Sequence, residues 1–93
     1  MKIIFYITIE IEGKHIHSVL RKEYDSQLLP IPGMEFEDSA WKKAKQAESI
    51  TCNFDEGCYL LYFPSVQLNT EEACKNEEDI YCSHGWKKPG MTV

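Results

Sequence analysis

Ile3-Ile4-Phe5-Tyr6-Ile7-Thr8-Ile9-Glu10-Ile11 is the stretch that decides the fold of this chain. Isoleucine or phenylalanine stands at every odd position. Successive side chains of a strand point to opposite faces, so all five odd residues share one face of a single β-strand. Glu12-Gly13 follows, and then a second run from Lys14 to Tyr24. With Ile11 paired to Lys14 across a two-residue loop, Ile9 faces Ile16, Ile7 faces Ser18 and Phe5 faces Leu20. Glu10 then faces His15 and Thr8 faces His17 on the other side. A one-residue slip would carry the apolar set to the wrong face. The expectation is an N-terminal hairpin over residues 1–24.

A second hairpin is expected over residues 49–63. Ser49 to Asn53 and Phe54 lead into Asp55-Glu56-Gly57, and Cys58 to Phe63 follow. A three-residue loop ending in glycine suits a type I turn with a bulge, because Gly57 accepts the positive φ required there. That loop pairs Phe54 with Cys58, Cys52 with Leu60 and Ile50 with Tyr62. The returning strand is apolar on both faces, as a central or helix-covered strand is.

The covering helix is predicted over residues 70–84. Asn69 or Thr70 caps its start, Glu71 and Glu72 suit the positive end of its dipole, and His84-Gly85 ends it. Ala73, Ile80 and Tyr81, flanked by Cys74, fall on one side at helical spacing. Glu71, Glu72, Lys75, Glu78, Asp79 and Cys82 point away.

Between the hairpins, Pro30-Ile31-Pro32-Gly33 forces an extended or turned connector, and Met34 to Glu37 can add a short strand. Asp38 to Ala47 reads two ways. Asp38 or Ser39 can cap a short helix, or the stretch is a loop whose Trp41 tucks onto the core.

These elements define the expected fold class: α+β, a small antiparallel sheet or partly open barrel of two β-hairpins with a C-terminal helix packed on it. The 93 residues suffice for one small domain, since a chain of this length buries only about 60–65% of its unfolded surface. Glu10 and Glu12 interrupt the first apolar run and no Ala-x-Ala-like site follows, unlike a secretory signal. Nor does any stretch approach the roughly 20 apolar residues of a membrane span. The expected setting is the cytoplasm, without membrane contact.

The net charge of −5 works against a nucleic-acid partner, which needs Lys and Arg displayed on one surface. The ten basic residues are scattered apart from Lys42, Lys43 and Lys45, the pair Lys87 and Lys88, and Arg21 beside Lys22. The cysteines lack the close pairs of a zinc site, with five residues between Cys52 and Cys58 and seven between Cys74 and Cys82. In the expected register Cys52 and Cys58 are diagonal neighbours about 7–8 Å apart, too far for an unstrained bridge. Cys74 and Cys82 stand about 12 Å apart along a helix. Free thiols are expected, the alternative being a cross-pairing of hairpin and helix, such as Cys52 or Cys58 with Cys74. His15 and His17, on one strand face with Glu10 opposite, could chelate a metal. No phosphate loop, metalloprotease helix or nucleophile elbow is present.

The function expected by elimination is a non-catalytic, acidic protein-binding module: an inhibitor, immunity or accessory protein meeting a basic partner, with no cofactor. Glu71, Glu72, Glu78 and Asp79, on the outward side of the helix, are the expected contact group. The alternatives are a metal-responsive protein using His15, His17 and Glu10, a nucleic-acid-binding small barrel, and a minimal enzyme.

Overall fold

A computed structural model describes residues 1–88. Strands β1 (Lys2–Ile11) and β2 (Ile16–Asp25) form the first hairpin, and β5 (Ser49–Asn53) and β6 (Cys58–Tyr62) the second. Between them lie the two-residue strands β3 (Glu35–Phe36) and β4 (Lys45–Gln46), paired only with each other. A short β7 (Val66–Leu68) precedes the one helix among the described residues, α1 (Glu71–Ser83). The fold is α+β, as expected, with α1 packed on the sheet against β1, β2 and β7. No described helix is long and apolar enough to cross a membrane.

The strand order is β2-β1-β6-β5, with β7 also on β1. Both β6 and β7 run parallel to β1, so the sheet is mixed where hairpin pairing alone would make it antiparallel. Tyr6 pairs with Tyr62 but Ile9 with Val66, one residue more on the second strand. The extra residue falls at the interruption containing Pro64, which has no N–H to give to a ladder.

The odd residues of β1 all face the core, and Ile7 and Ile9 are completely buried. Leu20, Leu61, Phe63, Cys74, Tyr81 and Trp86 close over them. Ile4 and Cys58 are also buried, but they share the opposite sheet face with Leu60 and lie outside that core cluster.

The register of the first hairpin differs from the expected one. Ile7 pairs with Leu20, Ile9 with Ser18 and Phe5 with Lys22, because the turn spans Glu12 to His15 rather than two residues. Gly13 takes φ 72° there. A shift of two residues keeps side chains on their faces, which is why the core assignment survives it. A bulge then leaves His17 as the extra residue, since Ile9 pairs with Ser18 but Glu10 with Ile16.

In the second hairpin the shift is a single residue. Asn53 pairs with Cys58 and Ile50 with Leu61 across a four-residue turn, so Phe54 leaves the strand and is 89% exposed. Cys52 now opposes Tyr59 rather than Leu60, which puts Cys52 and Cys58 on opposite faces. All four cysteines are free.

The Asp38–Ala47 stretch is a loop with a short strand, and Trp41 packs against Phe63 at 4.8 Å between ring centroids. Thr70 caps α1 through its hydroxyl, which accepts from the Ala73 N–H at 3.1 Å. His84 ends the helix, and Gly85 follows at φ 91°.

Helix orientation corrects two assignments. Cys74, Glu78 and Tyr81 face the sheet, while Ile80 is exposed. The i, i+4, i+7 spacing of the buried three is a helical stripe. Glu78 tolerates burial because cations wait for it there: Lys88 Nζ at 3.0 Å and, when protonated, His17 Nε2 at 3.4 Å.

Candidate functional site

The start of β1 and the end of β2 lie at the same end of the sheet, because Lys2 pairs with Asp25. Lys2 also pairs with Cys58, which brings the Phe54–Gly57 turn to that end. The connector leaving β2 is fastened there as well. The N-terminal ammonium donates to Ser26 O at 3.0 Å, and the Ser26 N–H donates to Met1 O at the same distance. Ser26 Oγ then accepts the Leu28 N–H at 3.0 Å. The Met34 N–H closes a turn on Ile31 O, with Pro32 and Gly33, φ 85°, at its centre. Proline followed by a positive-φ glycine is the type II arrangement.

Held this way, the connector and β3 leave a groove of about 380 Å³ against the sheet. Ile3, Phe5, Tyr24 and Phe36 form its floor; Leu28, Leu29, Pro30 and Met34 form its walls. The charged residues along it are Asp25, Glu35 and Glu37, with no Lys, Arg or His. Among the described residues none of these three carboxylates is paired with a cation.

Exposed large apolar side chains concentrate on the connector and at this end of the sheet. Leu28 is 79% exposed, and Leu29 and Ile31 on the connector, Met1 and Phe54 are exposed too. Those five are most of the eight large hydrophobic side chains that reach solvent among the described residues. An apolar groove with a polar rim, flanked by exposed apolar side chains, is the kind of surface that soluble proteins use for interaction.

Beside the groove lies a buried charge, Asp38. Its side chain is fully enclosed. Oδ1 accepts from the Tyr24 hydroxyl and pairs with Lys22 Nζ at 2.9 Å; Oδ2 accepts from Trp86 Nε1 and the Ala40 N–H, both at 2.9 Å. Burial pushes its carboxyl up, but the hydrogen bonds from Tyr24, Trp86, Ala40 and Lys22 outweigh burial and hold it below the ordinary value of 3.8. Lys22 Nζ also donates to His84 O at 2.6 Å, at the end of α1. Both carboxylate oxygens are spent inside the fold, so Asp38 ties β2, the loop and the segment after α1 together. Sequence reading saw Asp38 only as a cap; its partners are 14 and 48 positions away, beyond any local signal.

The residues singled out from sequence separate into distinct places. Glu71, Glu72 and Asp79 are exposed on α1, whereas Glu78 is buried beneath it. Burial pushes the Glu78 carboxyl up; the hydrogen bond and charge of Lys88, with Ser18 and His17 nearby, bring it below the ordinary 4.5. His15 lies exposed in the first turn, while His17 sits at the bulge beside Glu78. Glu10 is engaged by Ser65 Oγ at 3.2 Å, on the β7 side. The expected His15–His17–Glu10 grouping is therefore not assembled: the longer turn keeps His15 out of β2, and the bulge displaces His17 from its place opposite Thr8. Among the described residues no three His, Cys, Asp or Glu gather as metal ligands. Comparison with protein-family models, with curated proteins and with solved structures finds no match.

Proposed function

We propose that this protein is a non-catalytic, acidic protein-binding module, of the inhibitor, immunity or accessory kind, that meets a basic partner in the cytoplasm. One observation carries the reading: an apolar groove whose charged residues, among the described residues, are three carboxylates that pair with no described cation. Apolar floor supplies the burial that favours association, and uncompensated carboxylates select a cationic rim on the other side. An anionic membrane surface or a nucleic-acid backbone would be repelled by the same rim. Glu71, Glu72 and Asp79 serve as a steering group that adds to the attraction at longer range. The four free thiols support a reducing compartment.

The experiment is affinity capture from native-host lysate, with wild type run beside the Glu35→Lys/Glu37→Lys double variant. The reading expects basic proteins retained by wild type, released by salt, and lost from the variant. An identical set of captured proteins on both baits would refute it.

A further inference from the structure

We infer that the groove takes an extended segment in which Lys or Arg alternates with apolar residues; the inference rests on the basic-partner reading above. Its starting point is the geometry of Glu35-Phe36-Glu37. Phe36 turns its ring onto Phe5 at 5.6 Å and Phe63 at 5.8 Å between centroids. Exposure alternates over Glu35, Phe36 and Glu37, the last just past the end of β3, so the two carboxylates flank Phe36 on the side away from its ring. Both are exposed and both border the groove.

An extended ligand has the same two-residue repeat. Basic side chains at its positions i and i+2 meet Glu35 and Glu37 together, and the apolar residues between them turn toward Leu28 and Leu29 on the connector. A second copy of this chain is a poor occupant, because it brings a net charge of −5 to an acidic rim.

Two dye-labelled eight-residue peptides of identical composition test the inference by fluorescence anisotropy at low salt. One alternates Arg with Leu; the other carries four Arg followed by four Leu. The alternating peptide is expected to bind about tenfold more tightly to wild type, a difference of the size one good charged contact produces. The Glu35→Gln/Glu37→Gln variant, with its fold checked by circular dichroism, should bind both peptides alike. Equal affinity of the two peptides for wild type overturns the alternating register while leaving the basic-partner reading to its own capture experiment. Failure of both peptides to bind overturns the groove as their site. So does an apparent mass of twice the chain that the alternating peptide fails to reduce, which would make a second copy the occupant. Co-sedimentation with phosphatidylcholine vesicles, undiminished by the peptide, would overturn it in favour of a bilayer.

Discussion

The indole N–H of Trp86 reaches Asp38 Oδ2 at 2.9 Å, joining the segment after α1 to the loop that precedes β4. Trp86 is almost wholly buried and packs edge-on against Tyr81, with 5.1 Å between ring centroids. Its single polar atom therefore needs a partner inside the fold, and Asp38 is that partner. The same carboxylate neutralises Lys22, whose ammonium also closes the end of α1. One side chain thus couples three segments distant in sequence.

Replacing Asp38 with Ala should cost about 3–5 kcal/mol, the range for breaking a buried pair, because Lys22 loses its counter-ion and the donors of Trp86, Tyr24 and Ala40 lose their acceptor. Urea unfolding followed by tryptophan fluorescence measures this. A loss under about 1 kcal/mol would mean that water replaces the carboxylate freely.

Acid sensitivity follows from the same groups. Asp38 and Glu78 both have carboxyls held below their ordinary values of 3.8 and 4.5. A depressed folded-state pKa gives stability that is present above the unfolded value and is lost as pH falls through the folded one. Stability should therefore be steady near neutrality and decline as pH drops below about 4–5. In Glu78→Gln that acid decline should be shallower than in wild type, and in Asp79→Asn on the exposed side it should be unchanged. A denaturation midpoint followed from pH 7 to 3 separates these outcomes, and parallel curves for Glu78→Gln and wild type would contradict the linkage.

Face assignment in β1 gives a sharper contrast between neighbours. Ile7 is completely buried at the centre of the core cluster, whereas Thr8 is half-buried on the other face. Ile7→Ala should cost about 2–5 kcal/mol through lost transfer energy and a residual cavity. Thr8→Ala should fall within about 1 kcal/mol. Comparable losses would place an unrecognised layer over the second face.

The thiols offer a check that needs no mutation. Cys58 and Cys74 are buried, while Cys52 and Cys82 are partly accessible. Alkylation of the native protein should modify Cys52 and Cys82 first, and unfolding without reductant should expose all four. A persistent unalkylated pair in the intact mass would contradict the separation of Cys52 and Cys58 onto opposite faces.

What the sequence revealed was whatever rests on local periodicity. Alternation in Ile3 to Ile11 names the core face of β1 whatever the turn length, since an even shift preserves it. Thr70 and His84-Gly85 mark the ends of α1 because caps are chemical features of a few adjacent residues. Turn lengths were less legible: Glu12-Gly13 and Asp55-Glu56-Gly57 each permit several loops, and Phe54 moved from strand to turn when one more residue joined the second. The parallel pairing of β1 with β6 depends on residues more than fifty positions apart, as in Tyr6 with Tyr62. Glu78 reads as a surface residue until Lys88 and His17 are brought beside it by the segment after α1 and a bulge. The groove escaped for the same reason. Asp25, Glu35 and Glu37 are ordinary surface acids in sequence, and long-range contacts gather them along one apolar floor: the pairing of Lys2 with Asp25, the fastening of Ser26 to Met1 and the packing of Phe36 on Phe5 and Phe63.

Contact and steering should separate kinetically. Glu71, Glu72 and Asp79 stand exposed on α1 and none of them lines the groove. Charges outside a contact act through the solvent, across a Debye length of about 8–10 Å near physiological salt. Reversing Glu71 and Asp79 to Lys should therefore slow association of the alternating Arg/Leu peptide by a few-fold and flatten its salt dependence, with the dissociation rate unchanged. Reversing Glu35 and Glu37 instead should raise the dissociation rate as well, because those carboxylates would touch the ligand in the complex. Stopped-flow traces at two salt concentrations resolve both rates. If the α1 reversal accelerates dissociation as much as the groove reversal does, α1 is part of the contact and its carboxylates are more than a steering group.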